Sequence, residues 1–224
     1  MLPIELDVND REAVFEAVQR TVDAFGTIDI AVNNAGFGQF GLIEEVSEQE
    51  WRAQFETNLF GAVWVTQAVL PTMREQRSGH ILQVSSIGGI SAFPNIGVYN
   101  ASKWALEGFS QSLAQEVAAF GIHVTLIEPG GYDTDWGGAS AKHAEPMPEY
   151  EQVRAAAAEA RKSRVSNPGR PEATRSAILK VVDAEEPPLR IFFGEGPLAI
   201  AKADYAARIE NWEAWQPVSI EAQG

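Results

Sequence analysis

The feature of this sequence that most constrains its fold is the alternation of short apolar segments with longer amphipathic segments. Apolar residues run continuously through the short segments, a pattern typical of strands that are buried on both faces. Such strands, separated by helices, form parallel sheets that helices cover on each side. We therefore predict an α/β fold. Its parallel strands are expected at residues 2–7, 28–32, 80–84, 122–127 and 189–193.

Helix signals fill the gaps between these strands. Asn9 or Asp10 can cap a first helix that Gly26 ends. Ser47 and Glu50 form a capping box at the start of a second helix. Helical spacing of apolar residues predicts further helices at residues 98–120, 150–162, 171–183 and 199–215. The last helix carries four apolar residues that we interpret as packing anchors: Tyr205, Ile209, Trp212 and Trp215.

Composition narrows the class of protein. The 224 residues fit one domain, spanning 1–224, and 45% hydrophobic residues suffice for a core. A formal charge of −14 argues against nucleic acid or an anionic membrane as a partner, because phosphate binding needs a basic surface. The chain has no cysteine, and we find neither a signal-peptide pattern nor an apolar run of membrane-spanning length. We expect a soluble, cytoplasmic protein.

Unusual loops follow the predicted strands. They are Asp7 and the segments 33–36, 85–89 and 129–134. Ligands of parallel α/β sheets bind beyond the carboxyl ends of the strands, so these loops predict a binding site. The three histidines show no ligand spacing, and we expect no metal site.

Tyr99 and Lys103 form the one acid/base pair beside these loops. They are four residues apart on a predicted helix, which places their Cβ atoms about 5–6 Å apart on one face. A lysine ammonium favours the phenolate and is expected to lower the pKa of the tyrosine from its usual value of about 10. The pair predicts proton transfer at neutral pH.

In combination these residues resemble the classical short-chain dehydrogenase/reductase family. The resemblance follows the chain in order through Asp7-Val8, Asn33-Asn34-Ala35-Gly36, Asn58, Ser86, Tyr99 with Lys103, and Pro129-Gly130 with Thr134. It implies a Rossmann-like, doubly wound parallel sheet in a three-layer α/β/α fold. The implied activity is the NAD(P)-dependent interconversion of a carbonyl and a secondary alcohol.

The resemblance also implies a role for each catalytic residue. Tyr99 would exchange a proton with the substrate oxygen, which the hydroxyl of Ser86 would hold. Lys103 would lower the pKa of Tyr99 and bind the nicotinamide ribose. Asn58 would hold a water molecule that continues the proton relay.

A second set of residues is implied to bind NAD or NADP, with NADP slightly favoured by family analogy. Besides Tyr99 and Lys103, the expected contacts are Asp7 and Val8 at the adenine, Asn33, Ala35 and Gly36 along the adenosine ribose and phosphates, and Pro129, Gly130 and Thr134 at the nicotinamide. Tyr132 stands where the family often has a small β-branched residue.

The sequence departs from the family pattern at its start. The Gly-rich turn and the first two strands of the family are not found before Asp7. Gly36, Gly38 and Gly41 match G-x-G-x-x-G, but the next helix is predicted only near Ser47, so we interpret the match as fortuitous. Cofactor affinity of these 224 residues is expected to be much reduced.

Without the two strands, segment 28–32 is expected to be an exposed apolar edge. The edge could pair with segment 2–7, another chain could cover it, or the native start could lie upstream of Met1. We favour the upstream start. An alternative function remains open, in which a shortened, non-catalytic family member acts as a binding module through this edge.

The substrate is expected to be a small carbonyl or alcohol. Residues 135–170 are the predicted lid, and an apolar pocket wall is predicted from Phe93, Pro94, Ile96 and Trp136, which favours a hydrophobic substrate. Family analogy also suggests a homo-oligomer.

Overall fold

The computed structural model describes residues 1–165 and 167–224 as an α/β fold. Its strands are β1 (Ile30–Asn33), β2 (Gln39–Phe40), β3 (Gly79–Val84), β4 (Ile122–Pro129), β5 (Lys142–His143) and β6 (Arg190–Phe193). Its helices are α1 (Arg11–Phe25), α2 (Glu48–Phe55), α3 (Gly61–Gln76), α4 (Gly97–Val117), α5 (Glu151–Arg164), α6 (Thr174–Val182) and α7 (Gly196–Glu221). A π-helical turn, Glu56–Phe60, joins α2 to α3.

The main sheet is parallel, with strand order β1-β3-β4-β6. On one face, Ile81 and Val124 pack with Met73 of α3 and Leu113 of α4. On the other face, Leu82 and Ile127 pack with Val181 of α6. Helices therefore cover both faces, which confirms the predicted three-layer α/β/α arrangement. A separate two-stranded sheet pairs β2 with β5.

Local sequence explains several helix boundaries. The side chain of Asp10 accepts a hydrogen bond from the backbone N–H of Ala13 and caps α1. Gly26 ends α1 in the left-handed region, at φ 79°. Ser47 and Glu50 form the capping box of α2. These predictions from the sequence are confirmed, and α4 also begins and ends within a few residues of the expected bounds.

The predicted strand over residues 2–7 is wrong. This segment is irregular and mostly exposed, and it leads into a turn in which the N–H of Asp10 bonds the carbonyl of Asp7. A strand needs a neighbour for its backbone hydrogen bonds. Within the described residues the free edge of β1 stays unpaired, so pairing of segment 2–7 with that edge, one of the three possibilities considered, is not seen.

The predicted anchors of the last helix are also wrong. Trp212 and Trp215 are 59% and 60% exposed, and Tyr205 and Ile209 are exposed as well. Helix α7 contacts the body through its first half, where Pro197 and Ala201 are buried. Every residue after Arg208 is exposed, so helical spacing of apolar residues there does not reflect packing against the described residues.

The predicted lid region, 135–170, holds β5, α5 and short 3₁₀ turns. Ser166 of this region lies outside the described residues. Helix α5 has no buried residue within the part of the chain described, whereas α4 has many. The pairing of β5 with β2 connects the segment to the loop that follows β1.

Candidate active site

Helix α4 positions the central pair of the candidate site. Tyr99 and Lys103 lie one helical turn apart, and both are buried, at 6% and 5% exposure. The ammonium nitrogen of Lys103 lies 5.9 Å from the centre of the Tyr99 ring. It donates a hydrogen bond of 2.7 Å to the carbonyl of Val84, at the end of β3. The helix and the carboxyl end of β3 are thereby joined beside the phenol.

Ser86 follows β3 and faces the same phenol. Its hydroxyl accepts a hydrogen bond of 3.0 Å from the N–H of Gly88. A Cβ atom on Gly88 would lie 3.2 Å from the Tyr99 ring and 3.3 Å from the Ser86 hydroxyl. The absence of a side chain at Gly88 therefore lets the loop bring Ser86 close to Tyr99.

The pKa values in the pair differ from the expectation. Burial raises the pKa of Tyr99 to about 12, although a hydrogen bond with Ser86 acts in the opposite direction. Burial lowers the pKa of Lys103 to about 8, while the negative charge of Glu107 raises it. The predicted net lowering of the Tyr99 pKa is thus wrong for this structure, because desolvation of the phenolate dominates.

Asn58 lies in the π-helical turn between α2 and α3. Its side-chain oxygen accepts from the N–H of Phe37 and its amide donates to the carbonyl of Phe37, each at 3.1 Å. The amide also lies 3.2 Å from the hydroxyl of Ser102, on α4. Such π-helical turns are frequent at functional sites, and this one connects α4 with the loop after β1.

The expected cofactor residues after β1 fall into two groups. Asn33 is buried, and its amide donates to Gln83, Thr66 and the carbonyl of Ala62. Ala35 and Gly36 are exposed. Asn33 therefore connects the end of β1 to α3 and β3 through buried hydrogen bonds. Ala35 and Gly36 have exposed backbone groups that a ligand can reach. The helix after the Gly36-x-Gly38 sequence begins only at Glu48, as expected for a fortuitous match.

The remaining expected cofactor residues are more scattered. Pro129 ends β4, and the N–H of Gly130 donates to the carbonyl of Phe193. Thr134 is exposed, and its hydroxyl accepts from the N–H of Trp136. Asp7 is exposed in the turn before α1, while Val8 packs so closely on Gly61 that a Cβ there would lie 2.7 Å from it.

The indole of Trp136 covers the phenol of Tyr99. Their ring centres are 4.9 Å apart in an edge-to-face arrangement, and the ring of Phe40 lies 5.4 Å from the same indole. The guanidinium of Arg161, on α5, stacks over both Phe40 and Trp136. Trp136 was predicted as a pocket wall, whereas its direct contact with Tyr99 and the part played by Phe40 were not apparent from the sequence.

A further charged group lies beneath the pair and was missed from the sequence. Glu107 is buried one turn after Lys103, with Glu128 of β4 and Arg190 of β6 beside it. The spacing of Tyr99, Lys103 and Glu107 at intervals of four residues was the available signal, because it places all three on one helix face.

The donor set fits the nicotinamide-ribose part of a dinucleotide. Lys103 uses one of its three N–H donors on Val84, which leaves two for ribose hydroxyl groups. Gly36 leaves open a space that a Cβ atom would fill, 3.1 Å from Asn58 Oδ1 and 3.7 Å from Lys103 Nζ. These residues can therefore accept a nicotinamide cofactor.

Comparisons with known proteins identify the family. The family model described as short chain dehydrogenase matches residues 1–145. Oxidoreductase BOA17 of Botryotinia fuckeliana is 42% identical over 223 residues, which are 98% of this chain and 81% of that protein. The chain belongs to the short-chain dehydrogenase family and is a dehydrogenase/reductase of that type, with NAD or NADP as the cofactor. Other curated relatives match over shorter stretches, and the chain spans about half of their length, from 46% to 59%.

Solved structures support the same fold. A short-chain dehydrogenase from Streptomyces avermitilis has a TM-score of 0.89 and 36% identity, covering 97% of this chain and 79% of that chain. ElxO with NADP bound has a TM-score of 0.71 and 26% identity, covering 88% and 77%. These similarities do not favour the alternative of a non-catalytic binding module. Separately, no helix of residues 1–165 and 167–224 has the length and apolar character needed to span a membrane.

Proposed function

We propose that this protein interconverts a carbonyl and a secondary alcohol, with Tyr99 as the general acid/base. The observation that carries the proposal is the burial of the Tyr99 phenol beside the Ser86 hydroxyl, one turn from the Lys103 ammonium. A hydroxyl and a phenol that face the same point can bind one substrate oxygen between them.

Each residue would have a distinct role. In reduction, the hydroxyl of Tyr99 gives its proton to the substrate oxygen, while Ser86 donates a hydrogen bond to that oxygen. The bound nicotinamide supplies the hydride in this direction and accepts it in the other. Lys103 stabilises the phenolate left behind and binds the ribose. Asn58 fixes the backbone of Phe37, in the loop after β1, through two hydrogen bonds.

The pKa of Tyr99 determines its protonation state before the reaction. Since burial raises this pKa to about 12, the phenol is protonated at neutral pH and ready to donate. Alcohol oxidation needs the phenolate as a base, so its rate is expected to rise with pH more steeply than the rate of reduction.

The surroundings of the phenol favour a hydrophobic substrate. Trp136 is the aromatic neighbour of the phenol, Phe40 contacts Trp136 in turn, and Arg164 at the end of α5 stacks over Phe93. Because the indole of Trp136 lies on Tyr99, substrate entry requires this side chain to move. We propose that residues 135–170 act as the lid, with Trp136 as its contact on the phenol.

Removing the Tyr99 hydroxyl tests the proposal. Reduction of aliphatic, aromatic and sugar-like carbonyls is followed by the absorbance of NADPH and NADH. Tyr99→Phe is expected to lower kcat by about 10³-fold, in the range typical of a lost general acid. The matched control is Tyr205→Phe on α7, which removes an exposed phenol and should leave kcat unchanged. Turnover that survives in the folded Tyr99→Phe protein would overturn the assignment.

A further inference from the structure

Two buried glutamates lie next to the catalytic pair. Glu107 is on α4, one turn after Lys103, and is 5% exposed. Glu128 is on β4, immediately before Pro129, and is completely buried. Buried carboxylates are costly unless they are paired, so their presence at this place needs a physical reason.

One guanidinium serves both carboxyl groups. Arg190 Nε lies 2.8 Å from Glu107 Oε2 and 3.5 Å from Glu128 Oε1. The other end of the guanidinium donates to Gln111 at 2.9 Å. One guanidinium therefore faces both acids, and it is closer to Glu107.

The hydrogen bonds are incomplete if both acids are ionised. Neither oxygen of Glu128 accepts a hydrogen bond from any described residue, and Glu107 Oε1 does not either. Two ionised carboxylates can only accept, whereas a protonated carboxyl group can donate to its neighbour. A proton on Glu128, donated toward Glu107, completes the pair. In agreement, burial raises the pKa of Glu128 to about 8, and the charge of Glu107 adds to this effect. Burial raises the pKa of Glu107 as well, but there the hydrogen bond and the charge of Arg190 act in the opposite direction.

The charge that remains on Glu107 acts on Lys103. Burial disfavours the ammonium, and the negative charge of Glu107 opposes that loss. The charged groups that face this region come from three elements: Lys103 and Glu107 on α4, Glu128 on β4 and Arg190 on β6. The end of β3 and the π-helical turn contribute neutral side chains: Ser85, Ser86 and Asn58.

We propose that Glu107 is a positioning residue that keeps Lys103 in its ammonium form, while Glu128 stores the proton that lets the acid pair carry a single negative charge. This inference rests on the proposed function, in which the ammonium stabilises the Tyr99 phenolate. It assigns the two acids opposite states: Glu107 is ionised and Glu128 is neutral at pH 7.

The two acids can be separated with glutamine, which imitates a protonated carboxyl group. The titration of Lys103 is followed by NMR of its ¹³C-labelled side chain, identified by the signal lost in Lys103→Met. Glu107→Gln should lower the midpoint by about one pH unit or more, as expected when a nearby opposite charge is removed. Glu128→Gln should leave the midpoint nearly unchanged. An unmoved midpoint in Glu107→Gln, or equal shifts in both variants, would overturn the proposal.

A measurement on the unaltered protein covers the case in which Glu107→Gln does not fold. The infrared spectrum at pH 7 should contain the carbonyl band of a protonated, buried carboxylic acid, and Glu128→Gln should remove it. A spectrum without that band contradicts the stored proton. Both measurements use the protein without turnover. A failure of carbonyl reduction is therefore distinguishable from a failure of this proposal.

Discussion

Strands β1 and β3 are neighbours in the same sheet, yet their surroundings differ sharply. β3 is paired on both sides, and Ile81 and Leu82 are completely buried. β1 is paired on one side, and Ile30 and Val32 are 43% and 50% exposed. Each strand leads into a loop of the candidate site, so the comparison concerns how firmly each loop is held.

The loop after β3 is fixed from several directions. Lys103 bonds the last carbonyl of this strand, and the N–H of Ser85 bonds the carbonyl of Ile127 on β4. The loop after β1 is held by the side chains of Asn33, Gln54 and Asn58 and by one backbone hydrogen bond from β5 to Gly38. The comparison indicates that the catalytic side of the site is held by the sheet itself, and the cofactor side by a few polar contacts.

The largest effect on the free energy of unfolding is expected at His80 of β3. Burial, with a contribution from His123, lowers the pKa of His80 to about 4. The unfolded chain takes up this proton near pH 6.5, while the folded protein does so only near pH 4. Stability should therefore fall as the pH decreases through this window, by up to about 3 kcal/mol. Urea denaturation between pH 4.5 and 7.5 measures the effect.

The variant His80→Gln isolates this contribution. Glu128 acts with the opposite sign, because its raised pKa makes the stability it contributes decrease as the pH rises from about 4.5 toward about 8. Comparing both proteins at each pH cancels that background. The exposed His123 provides the matched control, and His123→Gln should retain most of the slope. A slope that His80→Gln leaves unaltered would contradict the prediction.

The sequence predicted the parts of the fold that depend on neighbouring residues in the chain, such as helix caps, and the strands in the middle of the sheet. The capping residues Asp10 and Ser47, the central strands and the Tyr99–Lys103 helix all came out as expected. The strand prediction for segment 2–7 failed because an apolar run does not reveal whether the segment will find a neighbouring strand to pair with. Trp212 and Trp215 failed because helical spacing of apolar residues does not reveal whether a surface lies opposite.

The candidate site shows the same division. Residue types and spacing were enough to predict that Ser86, Tyr99 and Lys103 lie close together, because they belong to adjacent elements in the centre of the fold. The direction of the Tyr99 pKa did not follow, because it depends on burial and on where the ammonium points. The contact between Glu107 and Glu128 was missed because one lies on a helix and the other on a strand, 21 positions apart in the sequence.

An intermediate effect is expected at Asn33, the last residue of β1. Its amide donates to Gln83 of β3 at 3.0 Å and to Thr66 of α3 at 3.3 Å. Asn33→Ala leaves the buried Gln83 oxygen without this donor, while Thr66 keeps the hydrogen bond from the Gln83 amide, and the change should lower the free energy of unfolding by about 2 kcal/mol. The exposed neighbour Asn34→Ala should have little effect. Equal stability of the two variants in chemical denaturation would show that the brace between β1 and β3 is unimportant.

The smallest effect on stability is expected at Val32, on the open edge of β1. Val32→Thr keeps the β-branched shape and should change the free energy of unfolding by less than about 0.5 kcal/mol, as for other exposed positions. By contrast, Ile81→Val on β3 removes one buried methyl group and should cost about 1 kcal/mol. An exposed apolar edge strand also promotes pairing between chains, so Val32→Thr should reduce self-association in analytical ultracentrifugation while Ile81→Val should not. If Val32→Thr proved the more destabilising of the two, β1 would have to be covered in solution. The difference in burial between β1 and β3 would then not hold for the protein in solution.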